Sequence, residues 1–255
     1  SNDVEALAQW LVLQKEAQNW GTSVATTQVV SSLLTSQAMQ LSAAGNTKFM
    51  VGDKIVEPSK TERLTGSFTM PIGEYKPSNK QLNICRDGSS PTQAFGAVLL
   101  KYKGKAAKIE ASSSDAVSIS KRILKRITDD KGYAWADTDS LSVGDRIKVI
   151  LTVVAERDME YIVITDDRAA AFEPADQLPA FVFSEGTGFY RENSDTSTNF
   201  FISYMPKGTY LLEYELNVNN SGTFTSGIAT IQSQYAPALS AHSSGSMLQI
   251  SFLNR

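Results

Sequence analysis

Residues 205–224, MPKGTYLLEYELNVNNSGTF, decide how the rest of the chain is read. Tyr210, Leu212, Tyr214, Leu216 and Val218 fall on one face of an extended segment, and Glu213, Glu215 and Asn217 fall on the other. A two-residue beat of this kind is the mark of a strand with one buried face. Pro206 and Gly208 set the turn ahead of it, and Asn220, Ser221 and Gly222 are expected to return the chain to the neighbouring strand. The stretch holds no obvious catalytic group, metal cluster or phosphate loop. Its expected work is architectural, with the tyrosine row filling a core.

The same beat continues upstream. SVGDRIKVILTVVAERDMEYIVITDD, residues 142–167, contains two strong strands. Ile147, Val149, Leu151 and Val153 form an inner row, and Tyr161 to Ile164 form the core of the next strand. Val117, Ile119, Ile123 and Ile127 share one parity in VSISKRILKRI, which a loop, KGYAWAD, follows. Residues 169–199 are rich in turn formers and show little periodicity. NFFISYMPKGTY, IATIQSQYAP and SMLQISFL complete the set. The count is about seven or eight strands over roughly 140 residues, the size of an immunoglobulin-like sandwich with a large loop.

The first 45 residues differ. DVEALAQWLVLQKEAQ places Val4, Leu7 and Leu11 on a helical period, with Asn2 or Asp3 as cap, and NWGT breaks it. A second helix is expected from Thr22 to Leu41, closed by Gly45 and Asn46. Two antiparallel helices with a short connection leave outer faces that need partners, so the chain reads as a piece of a longer protein. After Asn46 the period becomes two. KFMVGDKIVEP is a hairpin around a Gly-Asp turn; RLTGSFTMPIG, KPSNKQLNICRDGSSP and QAFGAVLLKYKGK each carry a strand. The serine-rich KIEASSSDAV marks the boundary between two β units. The predicted organisation is a helical hairpin over 1–45, a small β domain over 46–113 and a β-sandwich over 114–255. The fold class is mainly β, an antiparallel sandwich preceded by a smaller β unit and an N-terminal α-helical hairpin.

Composition narrows the function. The chain has 255 residues, 42% hydrophobic and 20% charged, with 24 basic against 27 acidic side chains. No overall field attracts nucleic acid or an anionic membrane. No apolar run approaches the ~20 residues that span a bilayer, so membrane insertion of this segment is not expected. Cys85 is the only cysteine and His242 the only histidine, which removes internal disulfides and His- or Cys-based metal clusters. His242 lies in SAHSSGS, read as a loop with a solvated histidine, and Cys85 is read as an ordinary strand-end thiol.

Other candidates weigh against bland readings. The acids group as Asp129-Asp130, Asp137, Asp139, Asp145, Asp166-Asp167 and Glu173. A glycosidase pair needs two carboxylates about 5–10 Å apart, whereas acids in turns mostly bind their own backbone. DTDSLSVGD has aspartates at 137 and 139, as a calcium loop would, but Leu141 stands where the third ligand belongs. In KRILKR, Lys121 and Lys125 project to one side of a strand and Arg122 and Arg126 to the other, read as a solvated, edge-protecting strand. Trp135, beside Tyr133, is the best exposed-aromatic candidate for a contact surface. No catalytic, cofactor-binding or metal-ligating residue is assigned, and no cofactor is expected.

The order of motifs adds a resemblance. VSISKRI, LSVGDRIKVILTVVAERDMEYIVITDDRAAAFEP, GFYRE and NFFISYMPKGTYLLEYELNVNNSGTFTSGIATIQSQYAP occur in sequence. They resemble the last macroglobulin-like domain of bacterial alpha-2-macroglobulin-like proteins, over roughly residues 115–250. Residues 4–41 resemble the last helical hairpin of that family's α/α-toroid. Residues 46–113 would be the returning half of the β domain into which the toroid is inserted. Trapping members carry a reactive Cys-Gly-Glu-Gln thioester in the toroid; Cys85, in NICRDG, is not that motif, and the stretch of toroid that would hold it is not in this chain, so a thioester in the parent stays open. RAAAFEP lacks the cysteine some members carry there.

The resemblance implies a non-catalytic, modular protein of the bacterial cell envelope, periplasmic or at the surface and anchored through a missing N-terminal region. It implies contacts with upstream domains of the same parent chain, and with proteases that it traps or with other envelope proteins. The alternatives are a cell-surface adhesion or carbohydrate-binding sandwich using Tyr133 and Trp135, and a hydrolase using a serine with His242.

Overall fold

The structure is a computed structural model that describes residues 2–17, 20–35, 47–52, 54–57, 70–71, 81–86, 104–130, 132–138, 140–184 and 186–252. The chain divides into two compact units, residues 1–15 with 19–98 and residues 16–18 with 99–255.

The first unit holds helices α1 (Asn2–Ala17) and α2 (Ser23–Thr35). Thr22 caps α2: its hydroxyl accepts the Ala25 N–H at 3.1 Å. The Trp20 indole N–H donates to the Leu11 carbonyl at 3.1 Å, tying the connection back onto α1. On the helical period, Val4 and Leu7 are exposed and Leu11 is half-buried; Ala8 alone among the described helical residues is buried. Strands β1 (Thr47–Val51), β2 (Lys54–Val56) and β3 (Leu82–Arg86) form a sheet in the order β2-β1-β3. The expected hairpin is present, with Val51 opposite Lys54, and Cys85 lies one residue from the end of β3. The end of the second helix and nearly all of RLTGSFTMPIG and QAFGAVLLKYKGK lie outside the described residues.

The second unit begins with β4 (Val117–Asp129), β5 (Gly132–Asp137), β6 (Leu141–Ser142), β7 (Arg146–Ala155) and β8 (Met159–Asp167). Then come β9 (Phe172–Pro174), β10 (Ala180–Ser184), β11 (Thr187–Asn193), β12 (Ser197–Met205) and β13 (Gly208–Val218). The last are β14 (Gly222–Thr225), β15 (Ala229–Ser233), β16 (Ser240–His242) and β17 (Met247–Ser251).

A five-stranded sheet, β5-β4-β7-β13-β9, and a six-stranded sheet, β10-β11-β12-β8-β15-β16, are built throughout from antiparallel pairs. A smaller sheet, β14-β17-β6, adds one parallel pair. The inner rows of β7 and β13 face each other in register, Val149 against Tyr214 and Leu151 against Leu212, and both rows are buried as their parity predicts. Phe200 and Phe189 meet them from the six-stranded sheet, the Phe200 ring centroid 5.9 Å from that of Tyr214. The fold of this unit is the mainly β, antiparallel sandwich expected.

Several expectations within it change. Residues 169–199 hold β9, β10, β11 and the start of β12; their turn formers fall between short strands and hid the period. GYAWAD, residues 132–137, is β5 and not a loop: it folds back onto β4 with Trp135 opposite Arg126. Residues 220–222 do not return the chain to a neighbour of β13: β14 leaves to pair with β17, and β13 is flanked by β7 and β9. Tyr161 points outward with a positive φ of 52°, so the core of β8 is Met159, Ile162 and Ile164. Ile127 lies on the part of β4 beyond its β7 partners and is exposed.

Candidate functional site

The polar centre of the sandwich is made by three strands whose inward parity includes a polar side chain. Lys121 comes from β4, Tyr214 from β13 and Asp166 from β8, so the group bridges the two main sheets. The Lys121 ammonium donates to Asp166 Oδ1 at 2.6 Å, and to the Asp167 and Ser226 carbonyls at 2.9 Å each. The Tyr214 hydroxyl donates to Asp166 Oδ2. The side chains of Lys121 and Asp166 are 6% and 0% exposed.

Burial pushes the Asp166 carboxyl upward, opposed by the charge and hydrogen bond of Lys121 and by the Tyr214 hydroxyl. Burial, followed by the charge of Asp166, pushes the Tyr214 phenol well above its ordinary value. The neighbouring Asp167 is raised too, first by burial and then by the Asp166 charge.

The approach of Ser226 depends on one glycine. Gly227 has φ +71°, and a Cβ there would lie 2.0 Å from the Asp167 carbonyl oxygen. Only glycine lets the chain entering β15 come this close, and that approach seats the Ser226 carbonyl on the ammonium.

This geometry revises the reading of KRILKR. The alternation itself is correct, since Lys121 and Lys125 share the inner side with Leu151 and Ile147 as their partners. Yet β4 lies between β5 and β7 and is not an edge, and Lys121 is buried. A charge inside the sandwich was not legible because its partner is 45 residues away on the opposite sheet. Lys125 pairs with Asp145 at 2.7 Å, and Arg122 with Asp137, its Nε 2.7 Å from Oδ1. Asp145 Oδ2 also accepts the Ser142 N–H at 2.7 Å. Asp137 and Asp145, two of the acids in DTDSLSVGD, are thus paired with basic side chains; Asp139 lies outside the described residues. Glu173 lies on β9 opposite Asn217, away from Asp166.

Trp135, the exposed-aromatic candidate for a contact surface, is half-buried, with the Lys148 ammonium 5.0 Å from its ring centroid. Tyr133 beside it is exposed. His242 stands on β16, opposite Thr230 and bridged to Ser112, not in a solvated loop. Its Nδ1 is 3.2 Å from the Ser243 carbonyl oxygen, while the Ser243 hydroxyl accepts the Ala229 N–H and donates to the Ser244 carbonyl. A serine and histidine are adjacent in sequence here without forming a nucleophile and base.

A cleft of about 490 Å³ lies beside the buried centre, lined by Lys121, Ser226, Ser246, Thr138, Met247 and Gln249 among others. Its polar lining is mostly hydroxyl and amide. Among the described residues, no group of three or more His, Cys, Asp or Glu could hold a metal ion.

The sequence reading also missed an exposed aromatic row. Phe181, Tyr190, Phe201 and Val163 lie opposite one another across β10, β11, β12 and β8 on the outer face of the six-stranded sheet. Phe181 is 71% exposed, and Tyr190 and Phe201 are open as well.

Residues 117–238 match the family described as Bacterial Alpha-2-macroglobulin MG10 domain. Among solved structures, the chain is similar to Escherichia coli alpha-2-macroglobulin spanning domain MG7 to the C-terminus, at 15% identity and TM-score 0.46, covering 57% of this chain and 25% of that one. It is similar to Salmonella alpha-2-macroglobulin reacted with methylamine, at 20% identity and TM-score 0.47, covering 88% and 14%. It is also similar to trypsin-activated Escherichia coli alpha-2-macroglobulin, at 18% identity and TM-score 0.45, covering 56% and 11%. The chain therefore spans a quarter or less of the length of these relatives. No curated protein matches it. The matched residues 117–238 run from β4 to just beyond β15, so the similarity to the MG10 domain of bacterial alpha-2-macroglobulins lies within the second unit.

Proposed function

We propose that the chain is the C-terminal region of a bacterial alpha-2-macroglobulin-like protein of the cell envelope, and that it acts as a non-catalytic structural and protein-binding module in protease trapping. The observation that carries this reading is the MG10 match across 117–238. In this reading residues 1–45 end an α/α-toroid, 46–113 form the returning part of a small β domain, and 114–255 are the last macroglobulin-like domain. The exposed apolar residues of α1 and α2 fit such a division, since a piece of a toroid leaves helix faces to be covered by the rest of the parent.

The commitment of the inner polar groups supports a non-catalytic role. Lys121 and Asp166 are both engaged, and the adjoining cleft offers hydroxyls without a paired base. The aromatic row Phe181-Tyr190-Phe201 is the surface we assign to contacts with the upstream domains of the parent chain. The carbohydrate-binding alternative has less to favour it, since Lys148 lies against the ring of Trp135.

The test uses the parent polypeptide with and without residues 114–255. Trypsin is incubated with each, and its digestion of a large protein substrate is followed. The intact parent should protect the substrate and the truncated one should not. Equal digestion with and without the parent overturns the trapping role. Hydrolysis of a peptide or glycan panel in proportion to the concentration of this chain overturns the non-catalytic one.

No helix among the described residues is long and apolar enough to cross a membrane. Placement in the envelope is part of the proposal, and fractionation of cells expressing the full-length parent checks it.

A further inference from the structure

We propose that Lys121 and Asp166 form a modification site, where the amine and carboxyl condense into a side-chain amide that joins the two sheets covalently. The inference rests on the buried centre alone and stands or falls independently of the protease-trapping reading.

The geometry is that of a poised condensation. Nζ and Oδ1 are 2.6 Å apart, on side chains that are 6% and 0% exposed. Holding the amine and the carboxyl together in this way supplies proximity, much of what an uncatalysed amide bond lacks. The ammonium has three acceptors: Asp166 Oδ1, the Asp167 carbonyl and the Ser226 carbonyl. When the proton on the first is passed to Oδ1, the other two N–H groups remain anchored. The lone pair left behind then points toward the Asp166 carboxyl. A buried ion pair gains from such neutralisation, since both charges carry a desolvation penalty. The upward push of burial on the Asp166 carboxyl favours its protonated form.

The step balances without a co-reactant. The neutral Lys121 amine attacks Asp166 Cγ, and the N–Cγ bond forms. Negative charge gathers on Oδ2, where the Tyr214 hydroxyl already donates. The Cγ–Oδ1 bond then breaks, and Oδ1 leaves as water with the proton it first received and a second one shed by nitrogen. One hydrogen stays on the amide nitrogen, Oδ2 becomes the amide oxygen, and nothing is oxidised or reduced. Lys121 and Ser226 line the neighbouring cleft, which gives the released water a way out. Gly227 is a positioning residue, holding the Ser226 carbonyl against the amine through its close approach to Asp167.

The test is the intact mass of the purified chain under denaturing conditions. The expected value is one water below the sequence mass. Tryptic mapping should then show no cleavage after Lys121, and a branched peptide joining the Lys121 and Asp166 segments. Lys121→Arg, which keeps the charge but cannot condense in this way, should return the full mass of its sequence, as should Asp166→Ala. A wild-type chain at full sequence mass, cut after Lys121, overturns the proposal. So does a Lys121→Arg chain still lighter by one water, because the loss would then lie elsewhere. Mass is read after unfolding, so the reading on the wild-type chain does not depend on how well either variant folds.

Discussion

On the outer face of β13, Glu213 and Glu215 reach Lys148 and Arg146 at 2.8 Å each, with water at hand to replace either partner. On the inner face of the same strand, Tyr214 reaches an ion pair that solvent barely touches. Residues one apart in sequence therefore sit under different physical rules. Outside, a charge lost is largely repaid by hydration, and an exposed pair is worth about 0–1 kcal/mol. Inside, a partner removed leaves a group with nowhere to turn. Identical residue types, lysine and carboxylate, can thus be replaceable or indispensable on one strand.

The comparison can be broken in graded steps. The largest effect should come from Leu212→Asp, which places a charge at a fully buried position without a partner and removes a core leucine. A loss of about 5 kcal/mol or more is expected by urea unfolding, since breaking a buried pair alone costs roughly 3–5 kcal/mol. A small shift would show that β13 does not present this face to the core.

Next is Lys121→Met, which leaves Asp166 a free buried carboxyl without its lysine, whether that lysine is held as an ion pair or an amide, and about 3–5 kcal/mol is expected at neutral pH. This loss should depend on pH. Burial raises the Asp166 carboxyl above its unfolded value of about 3.9, and removing the ammonium raises it further. A raised acid contributes stability that is fully present below the unfolded pKa and lost as pH rises through the folded one. The variant should therefore recover stability relative to wild type as pH falls from neutral toward about 4, near the unfolded pKa. Urea midpoints for both proteins at several pH values check this, and a gap independent of pH would mean that Asp166 is not left charged.

Tyr214→Phe keeps the ring against Phe200 but removes the donor to Asp166 Oδ2. A loss of about 1–3 kcal/mol is expected for a buried acceptor left unsatisfied. Thermal unfolding of the two proteins measures it; a neutral result would mean that the bond is replaced by another donor. Smallest is Glu213→Lys on the outer face, where Glu213 is 43% exposed. It should cost no more than about 1 kcal/mol. If it matched Leu212→Asp by the same urea measurement, the two faces would have been exchanged.

The β13 and β7 rows were legible because nothing interrupts their alternation over ten or more residues. The Pro206-Gly208 turn was legible as well, and the structure adds how it is held. Tyr210 donates to the Pro206 carbonyl at 2.7 Å, and Asp158 accepts from Tyr204 and the Lys207 N–H. Those two donors, the phenol first, hold the Asp158 carboxyl below its ordinary range.

Where strands are three to seven residues long, as in β9, β10 and β11, too few alternations occur for a period to stand out from the turns between them. KGYAWAD failed for a related reason: the strand is short, and Trp135 and Tyr133 are covered or exposed according to what lies across from them. The candidate site was legible only in parts. Lys121, Asp166 and Tyr214 were each noticed, in a basic run, an acidic pair and an apolar row, and no local pattern linked them.

Sequence by itself determined the class of structure: which residues alternate, which face of each long strand is apolar, and the order of motifs shared with MG10 domains. Those are properties of near neighbours, and near neighbours are what periodicity records. Tertiary structure decided where charge could survive inside. Lys121 was assigned to water by its local sequence, yet the sandwich closes Asp166, Ser226 and Tyr214 around it from separate strands and loops. A lone lysine pays its desolvation only when partners far along the chain meet it at hydrogen-bond distance, and only the packing of two sheets brings them there.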